Sequence, residues 1–404
     1  MAGQWGHYHG GFERNRIEMS KDMMVLNGTI FLDGRFVQKD IRIEDGIIVE
    51  LAEPGALGCT NRTDREVRVL DVAGKYIIPG LVDVHTHGRN GWDFSKISED
   101  ELEKLLASYG ACGVTNVVAT TMTNEPSVVE LSLEVLGGYM KKQENNSGGS
   151  TAKLLGVHME GPFLGKEKKG AHDENYLCNP DWKLFTRLQD ISGGNIRLVT
   201  VDPLLGGAEA FIKKCVENGV TVSLGHTACD YDTAVNAGNL GANHVTHTFN
   251  AMHPLHHREP GLIGAAMDTG MYMELICDGI HVHPSLVRML FAAHPERVVL
   301  ISDSIPAAGM PDGEYTSGGL KVMLRSGRAV LEDGTIAGSA ISLFDAMVNA
   351  IRYGILAEYA VNSATYLAAE SVGMESVAGS IAVGRKADFL VLDKEWNLEL
   401  VCVY

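Results

Sequence analysis

The sequence predicts an α/β fold: a (β/α)8 TIM-like barrel with a small β-sandwich domain built from both chain ends. Three observations carry this. Eight short apolar runs alternate with helical stretches through the middle of the chain, both ends are rich in β-branched residues and tight-turn dipeptides, and the polar residues able to do chemistry fall where the apolar runs stop.

The elements follow in order. The Gly-rich start "MAGQWGHYHGGFERNR" has no strand around its His7 and His9, and residues 1–23 read as a flexible extension, native or left by cloning. Next, "NGTIFLDGRFVQKDIRIEDGIIVELAE" reads as short strands joined by Asn-Gly, Asp-Gly and Asp-Gly hairpin turns. The far end, "AGSIAVGRKADFLVLDKEWNLELVCVY", has the same character. Residues 24–78 plus 379–404 are therefore expected to form the small β domain, and 79–378 the barrel. Its strands are expected at 76–84, 114–122, 153–160, 196–201, 220–225, 243–249, 271–278 and 297–303. Between them lie helices such as "SEDELEKLLASYGACG", opened by Ser98 and Glu101 as a capping box, and "GAEAFIKKCVENG", closed by Gly219.

Composition narrows the function classes. At 45% hydrophobic and 21% charged, 404 residues suffice for one large domain and a smaller one. No apolar run approaches the roughly 18 to 20 residues that span a bilayer, and the start lacks a secretory apolar core, so a cytoplasmic protein is expected. A formal charge of −17 disfavours nucleic acid as a partner. The seven cysteines, with no Cys-x-x-Cys among them, read as free thiols in a reducing compartment.

In a (β/α)8 barrel the chemistry sits at the C-terminal ends of the strands. In "GLVDVHTHG", His85 and His87 lie two residues apart and so share one face at the end of strand one. Glu160 ends strand three, His226 follows strand five, His247 ends strand six and Asp303 ends strand eight. Each has an ordinary structural explanation alone, as a loop carboxylate, a satisfied core histidine or a turn cap. Six such residues at equivalent positions are better explained as a metal site. A His and carboxylate set without thiolate suits Zn²⁺ or Fe²⁺, water bound there would ionise near neutral pH, and Asp303 is the natural general base. The reaction class read from these residues is metal-assisted hydrolysis.

At this point the residues resemble a known family. The flanks, barrel and rim ligands look like the amidohydrolase superfamily, and within it "GVHMEGPFL", "GAHDE", "VSLGHT", "THTFNAM", "HHREPG", "CDGIHV", "ISDSIPA" and "IAGSA" resemble the N-acetylglucosamine-6-phosphate deacetylases. The resemblance implies hydrolysis of the 2-acetamido group of N-acetylglucosamine 6-phosphate to glucosamine 6-phosphate and acetate, with an essential metal on Glu160, His226 and His247 and with Asp303 as acid and base. It also implies that His172 contacts the substrate near its amide and that Asn250 and Ala251 border the sugar. His281 and Arg258 would meet the phosphate, with Arg258 reaching the neighbouring site of a homodimer, and Ile336, Ala337 and Gly338 would line the sugar through their backbone.

Two departures from the family pattern stand out. Many members lack the strand-one histidines and use one metal, whereas His85 and His87 here give capacity for a second ion bridged by Glu160, with Asp303 as a further ligand. "TVDPLL" stands where the family commonly has "APE", so Asp202 is the substitute for that glutamate. Other readings stay open. Arg258 has Glu259 beside it as a surface partner, one of His281 and His283 is expected to be structural, and Lys166, Lys168 and Lys169 read as a solvated loop. The alternatives to the main activity are deacetylation of the galactosamine epimer, hydrolysis of a cyclic amide, disfavoured because "IRLVTVDP" offers no bridging lysine, and a non-catalytic scaffold.

Overall fold

The computed structural model describes residues 20–57, 67–143 and 151–404. Residues 1–19 of the expected extension, with His7 and His9, and also Cys59, lie outside the described residues. Eight parallel strands, Leu81–Thr86, Val114–Thr121, Lys153–Glu160, Ile196–Val201, Thr221–Leu224, His244–Val245, Tyr272–Ile276 and Val298–Ile301, lie side by side in chain order. All but three of their residues are buried, as strands covered on both faces must be, and that is why they read as unbroken apolar runs. Each is followed by a helix, from Glu99–Ala111 after the first to Leu343–Arg352 after the eighth. Hydrogen bonds from Asp303 N–H to the His85 carbonyl (2.9 Å) and from His87 N–H to the Ser304 carbonyl (2.8 Å) draw the eighth strand's end to the first's. The Ser302 hydroxyl adds a bond to the buried Asp83 carboxylate at 2.6 Å.

Helix ends obey the local chemistry of the sequence. The Glu101 carboxylate accepts from both the backbone N–H (2.9 Å) and the hydroxyl (2.7 Å) of Ser98, which starts the first helix where the capping pattern puts it. The helix Ala208–Glu217 stops just short of Gly219, whose φ of +72° ends the turn.

A second sheet of seven strands joins the chain ends. Its order runs Leu398–Cys402, Phe389–Leu392, Tyr76–Pro79, Met23–Leu32, Arg35–Glu44, Ile47–Ala52, and Arg68–Asp71 also pairs with Met23–Leu32. It has its own core, which includes Met23, Ile30, Ile41, Ile48, Ile77 and Phe389.

Three expectations are corrected. The run 76–84 is not one strand: Tyr76–Pro79 pairs antiparallel with Phe389–Leu392 in the terminal sheet, and the barrel strand starts at Leu81. Gly80 joins them, its N–H bonded to the Asp388 carbonyl, and a Cβ there would overlap the Thr115 side chain. The Asn27-Gly28 pair makes no hairpin turn. It forms a bulge inside Met23–Leu32, with Asn27 at φ +61° and its N–H held by Asp40 Oδ1 at 2.7 Å, whereas Asp33-Gly34 and Asp45-Gly46 do turn the chain. Strand six is a two-residue ladder, and His247 stands beyond it in a turn.

Candidate metal centre and active site

The strand ends deliver the polar residues to one place, and three of them arrive by a sharp bend. His226, His247 and Asp303 have φ of +48°, +29° and +47°, the left-handed region that costs non-glycine residues on the order of 1–3 kcal/mol each. Asp303 is held in that bend by its own backbone, its carbonyl accepting from Ser339 N–H at 2.8 Å. Gly338 is required beside it: its φ is +95°, and a Cβ would come within 2.9 Å of the Asp303 carbonyl.

The six rim residues form one buried cluster. His87 Nε2 lies 3.2 Å from Glu160 Oε2 and 3.2 Å from Asp303 Oδ1, while His85 Nε2 is 3.5 Å from each of those oxygens. The other Glu160 oxygen faces His226 Nε2 at 3.2 Å and His247 Nε2 at 3.1 Å. Glu160 thus stands between two pairs of imidazoles, one oxygen toward each.

The tautomers decide what these nitrogens can do. His226 Nδ1 lies 2.8 Å from the Lys168 carbonyl, which only accepts, so the proton is on Nδ1 and a lone pair faces the cluster from Nε2. His85 Nδ1 likewise donates to Glu274 Oε2 at 2.8 Å and turns its Nε2 lone pair inward. Imidazole nitrogens and carboxylate oxygens converging at this range attract positive charge, either protons on the rings or a divalent metal, which this donor set fits. The electrostatics agree. Burial opposes charge on His87, but the Asp303 and Glu160 carboxylates outweigh it and raise its pKa to about 9. His85 is raised well above the ordinary range in the same way, against burial, by Glu274, Glu160 and Asp303. Burial opposes ionisation of Asp303 too, yet His85 and His87 hold its pKa at about 2. Metal binding at such a site displaces the protons that this negative field attracts.

His172 is different in kind. Its Nδ1 accepts from Thr123 N–H at 3.3 Å and lies 2.9 Å from Thr123 Oγ1, which leaves the proton on Nε2, 3.4 Å from Glu160 Oε2. Burial lowers its pKa to about 4. It is a neutral hydrogen-bond donor aimed into the cluster, although its position alone would group it with Glu160 and His226 as a ligand.

Above the cluster lies a cavity of about 370 Å³. His87, Glu160, His172, His226, His247 and Asp303 form its floor, and Asn250, Ala251, His281, Ile336, Ala337 and Gly338 are in its wall. Among the residues that the sequence singles out, Arg258 is not brought in. It is exposed and does not line the cavity of its own chain. The choice between His281 and His283 is resolved: His281 lines the cavity and bonds Asp278 Oδ2 at 2.6 Å, while His283 caps the helix Pro284–Ala293 by accepting from Ser285 N–H. The solvated-loop reading of Lys166, Lys168 and Lys169 needs correction for one member, because Lys168 and its neighbour Glu167 line the cavity. Asp202 is buried outside the cavity and bonds Thr227 Oγ1 at 2.5 Å, next to His226.

Sequence reasoning missed Glu274 and Thr123. Glu274 is fully buried in mid-strand, and its one signal was a lone carboxylate within "MYMELICD". Thr123 carried no signal at all.

The family model for the amidohydrolase family matches residues 76–401. The chain belongs to the amidohydrolase family. This amidohydrolase is 34% identical over 81% of its length to the N-acetylglucosamine-6-phosphate deacetylase of Bacillus subtilis (strain 168), of which it covers 83%. It is 32% identical over 92% of its length to the N-acetylgalactosamine-6-phosphate deacetylase of Escherichia coli O157:H7, covering 95% of it. A mutant N-acetyl-D-glucosamine-6-phosphate deacetylase from Mycobacterium smegmatis, solved with N-acetyl-D-glucosamine 6-phosphate, superposes with a TM-score of 0.86 at 30% identity, over 95% of this chain and 98% of that one. The resemblance to the deacetylases read from the motifs is borne out, and the enzyme is a hydrolase of carbon–nitrogen bonds.

Proposed function

We propose that this amidohydrolase removes the acetyl group of N-acetylglucosamine 6-phosphate, giving glucosamine 6-phosphate and acetate. The observation that carries the reading is the convergence of His85, His87, Glu160, His226, His247 and Asp303 beneath a cavity of about 370 Å³, with the neutral His172 donor beside them. Glu160, His226 and His247 would hold the essential ion, Zn²⁺ or Fe²⁺, and His85 and His87 with the shared Glu160 and Asp303 would hold a second. A divalent cation in this position acts as a Lewis acid on a carbonyl oxygen and lowers the pKa of water.

The protein's own groups do the rest. Asp303 takes the proton of the attacking water and returns it to the amine nitrogen, since an amine leaves poorly unless protonated. His172 Nε2–H donates to the amide oxygen as negative charge develops there. Asn250, Ala251, Ile336, Ala337 and Gly338 enclose the sugar. His281 faces the phosphate, and Arg258 of a second copy completes that contact in a homodimer, its guanidinium suited to bidentate phosphate binding. The exposure of Arg258 away from its own cavity supports this shared arrangement. Residence in a reducing cytoplasm is supported by the free thiols at Cys112, Cys178, Cys215, Cys229 and Cys277. Among the described residues no helix is long and apolar enough to cross a membrane.

The similarity to the E. coli O157:H7 relative keeps the galactosamine epimer as the second reading. The test is acetate release from each epimer by chelator-treated protein with and without added Zn²⁺ or Fe²⁺. Metal-dependent turnover with a higher kcat/KM for the glucosamine sugar is expected. A reversed ratio moves the substrate to the second reading, and no turnover of either sugar by metal-loaded protein removes both.

A further inference from the structure

Beneath the metal cluster one carboxylate serves both of its halves. Glu274 is at 0% exposure in the strand Tyr272–Ile276, and among the described residues it forms no ion pair with a lysine or arginine. A single oxygen, Oε2, accepts from His85 Nδ1–H at 2.8 Å and from the backbone N–H of His247 at 2.9 Å. Oε1 has no hydrogen-bond partner and stands 3.6 Å from His244 Nδ1. The carboxylate's interaction is therefore concentrated on one histidine of the strand-one pair and on the bend that carries His247. His158 does not compete for it, since its ring nitrogens face Thr120 and Thr200.

We propose that Glu274 is the positioning residue that enables the second ion. It keeps the proton of the neutral His85 ring on Nδ1, so that Nε2 is the nitrogen left to the ion once its own proton is displaced, and holds that ring in register with the His247 bend. This rests on the two-ion reading of the proposed function. A carboxylate behind a ligating imidazole orients it and raises its basicity, and loss of such a partner typically weakens metal affinity by roughly 10 to 100-fold. Glu274 touches the ring of His85 but only the backbone of His247, so the loss should fall on one ion. A residue that merely fills the barrel would show no such selectivity.

The experiment titrates chelator-treated wild type, Glu274→Gln, His85→Ala and the double variant with Co²⁺, following the d–d absorption of each equivalent, with Zn²⁺ content after dialysis measured in parallel. Wild type is expected to take two equivalents. Glu274→Gln should weaken one of them tenfold or more, leave the other within threefold, keep the melting temperature of the chelated protein, and add nothing when His85 is already alanine. Should Glu274→Gln not fold, Glu274→Met, of similar volume, is titrated in its place. Two equivalents of unchanged affinity in the variant overturn the proposal. So does equal weakening of both with a lowered melting temperature of the chelated protein, which is the mark of a structural role. A wild type that binds one equivalent refutes the two-ion reading itself, and the assignment of Glu274 falls with it; that result is read from the wild type alone.

Discussion

Replacing Asp303 by asparagine removes the proposed base while the main chain that carries it keeps its bonds. The fold around it should persist, because Asp303 is held by main-chain bonds, its N–H to the His85 carbonyl at 2.9 Å and its carbonyl from Ser339 N–H at 2.8 Å. Asparagine also tolerates the φ of +47° that residue 303 adopts. What disappears is the acceptor for the water's proton. Positioned general-base catalysis is worth about 10² to 10⁴ in rate, or roughly 3–5 kcal/mol of barrier. The carboxylate meets His87 and His85 and not the nitrogens of His226 and His247, so the ion on Glu160, His226 and His247 should stay bound while the one beside His87 weakens. Measured as acetate release with metal content determined on the same sample, Asp303→Asn should lower kcat by 10² to 10⁴ and change KM by less than threefold. A variant whose kcat stays within tenfold of wild type would show that another group moves the proton.

Three further changes test separate parts of the site. Arg258→Ala should raise KM about 10- to 100-fold, the loss of a charged hydrogen bond of about 1.5–3 kcal/mol, without altering bound metal; mixed dimers of Arg258→Ala and Asp303→Asn subunits should regain activity, and dimers proven mixed yet inactive would refute the shared phosphate site. His172→Ala should lower kcat by about 10² to 10³ with metal content unchanged, whereas loss of an equivalent of metal would make His172 a ligand. Asp202→Ala removes the acceptor of Thr227 Oγ1 (2.5 Å) and Leu204 N–H (2.9 Å) and should destabilise the protein by about 1–3 kcal/mol, seen as a lower melting temperature, with an unchanged melting curve counting against this role.

Much of the barrel was legible because buried parallel strands must be apolar on both faces, so each run ends where burial ends. The second, third and fourth strands start where the sequence places them, and two of these three also end there. The failures share a cause. Between Tyr76 and Val84 the composition does not change, although the chain leaves one sheet for another at Gly80; the partner that claims Tyr76–Pro79 is Phe389–Leu392, some 300 residues away. At Asn27-Gly28 the residues permit a positive φ in either a turn or a bulge, and the pairing with Arg35–Glu44 decides for the bulge.

The site was legible to the depth of its strand ends and no further. A rule about where barrel strands stop finds His85, His87, Glu160, His226, His247 and Asp303, but it says nothing of which imidazole nitrogen carries a proton. That is settled by the Lys168 carbonyl for His226, the Glu274 carboxylate for His85 and the Thr123 N–H for His172, none of them near its histidine in sequence. Two of these partners make lone pairs and the third makes a donor, so three histidines of one composition acquire two chemistries from what stands behind them. Ligand and donor are thus properties of the fold, and a change at Thr123 or Glu274 should alter the chemistry at His172 or His85 with every residue that meets the substrate left in place.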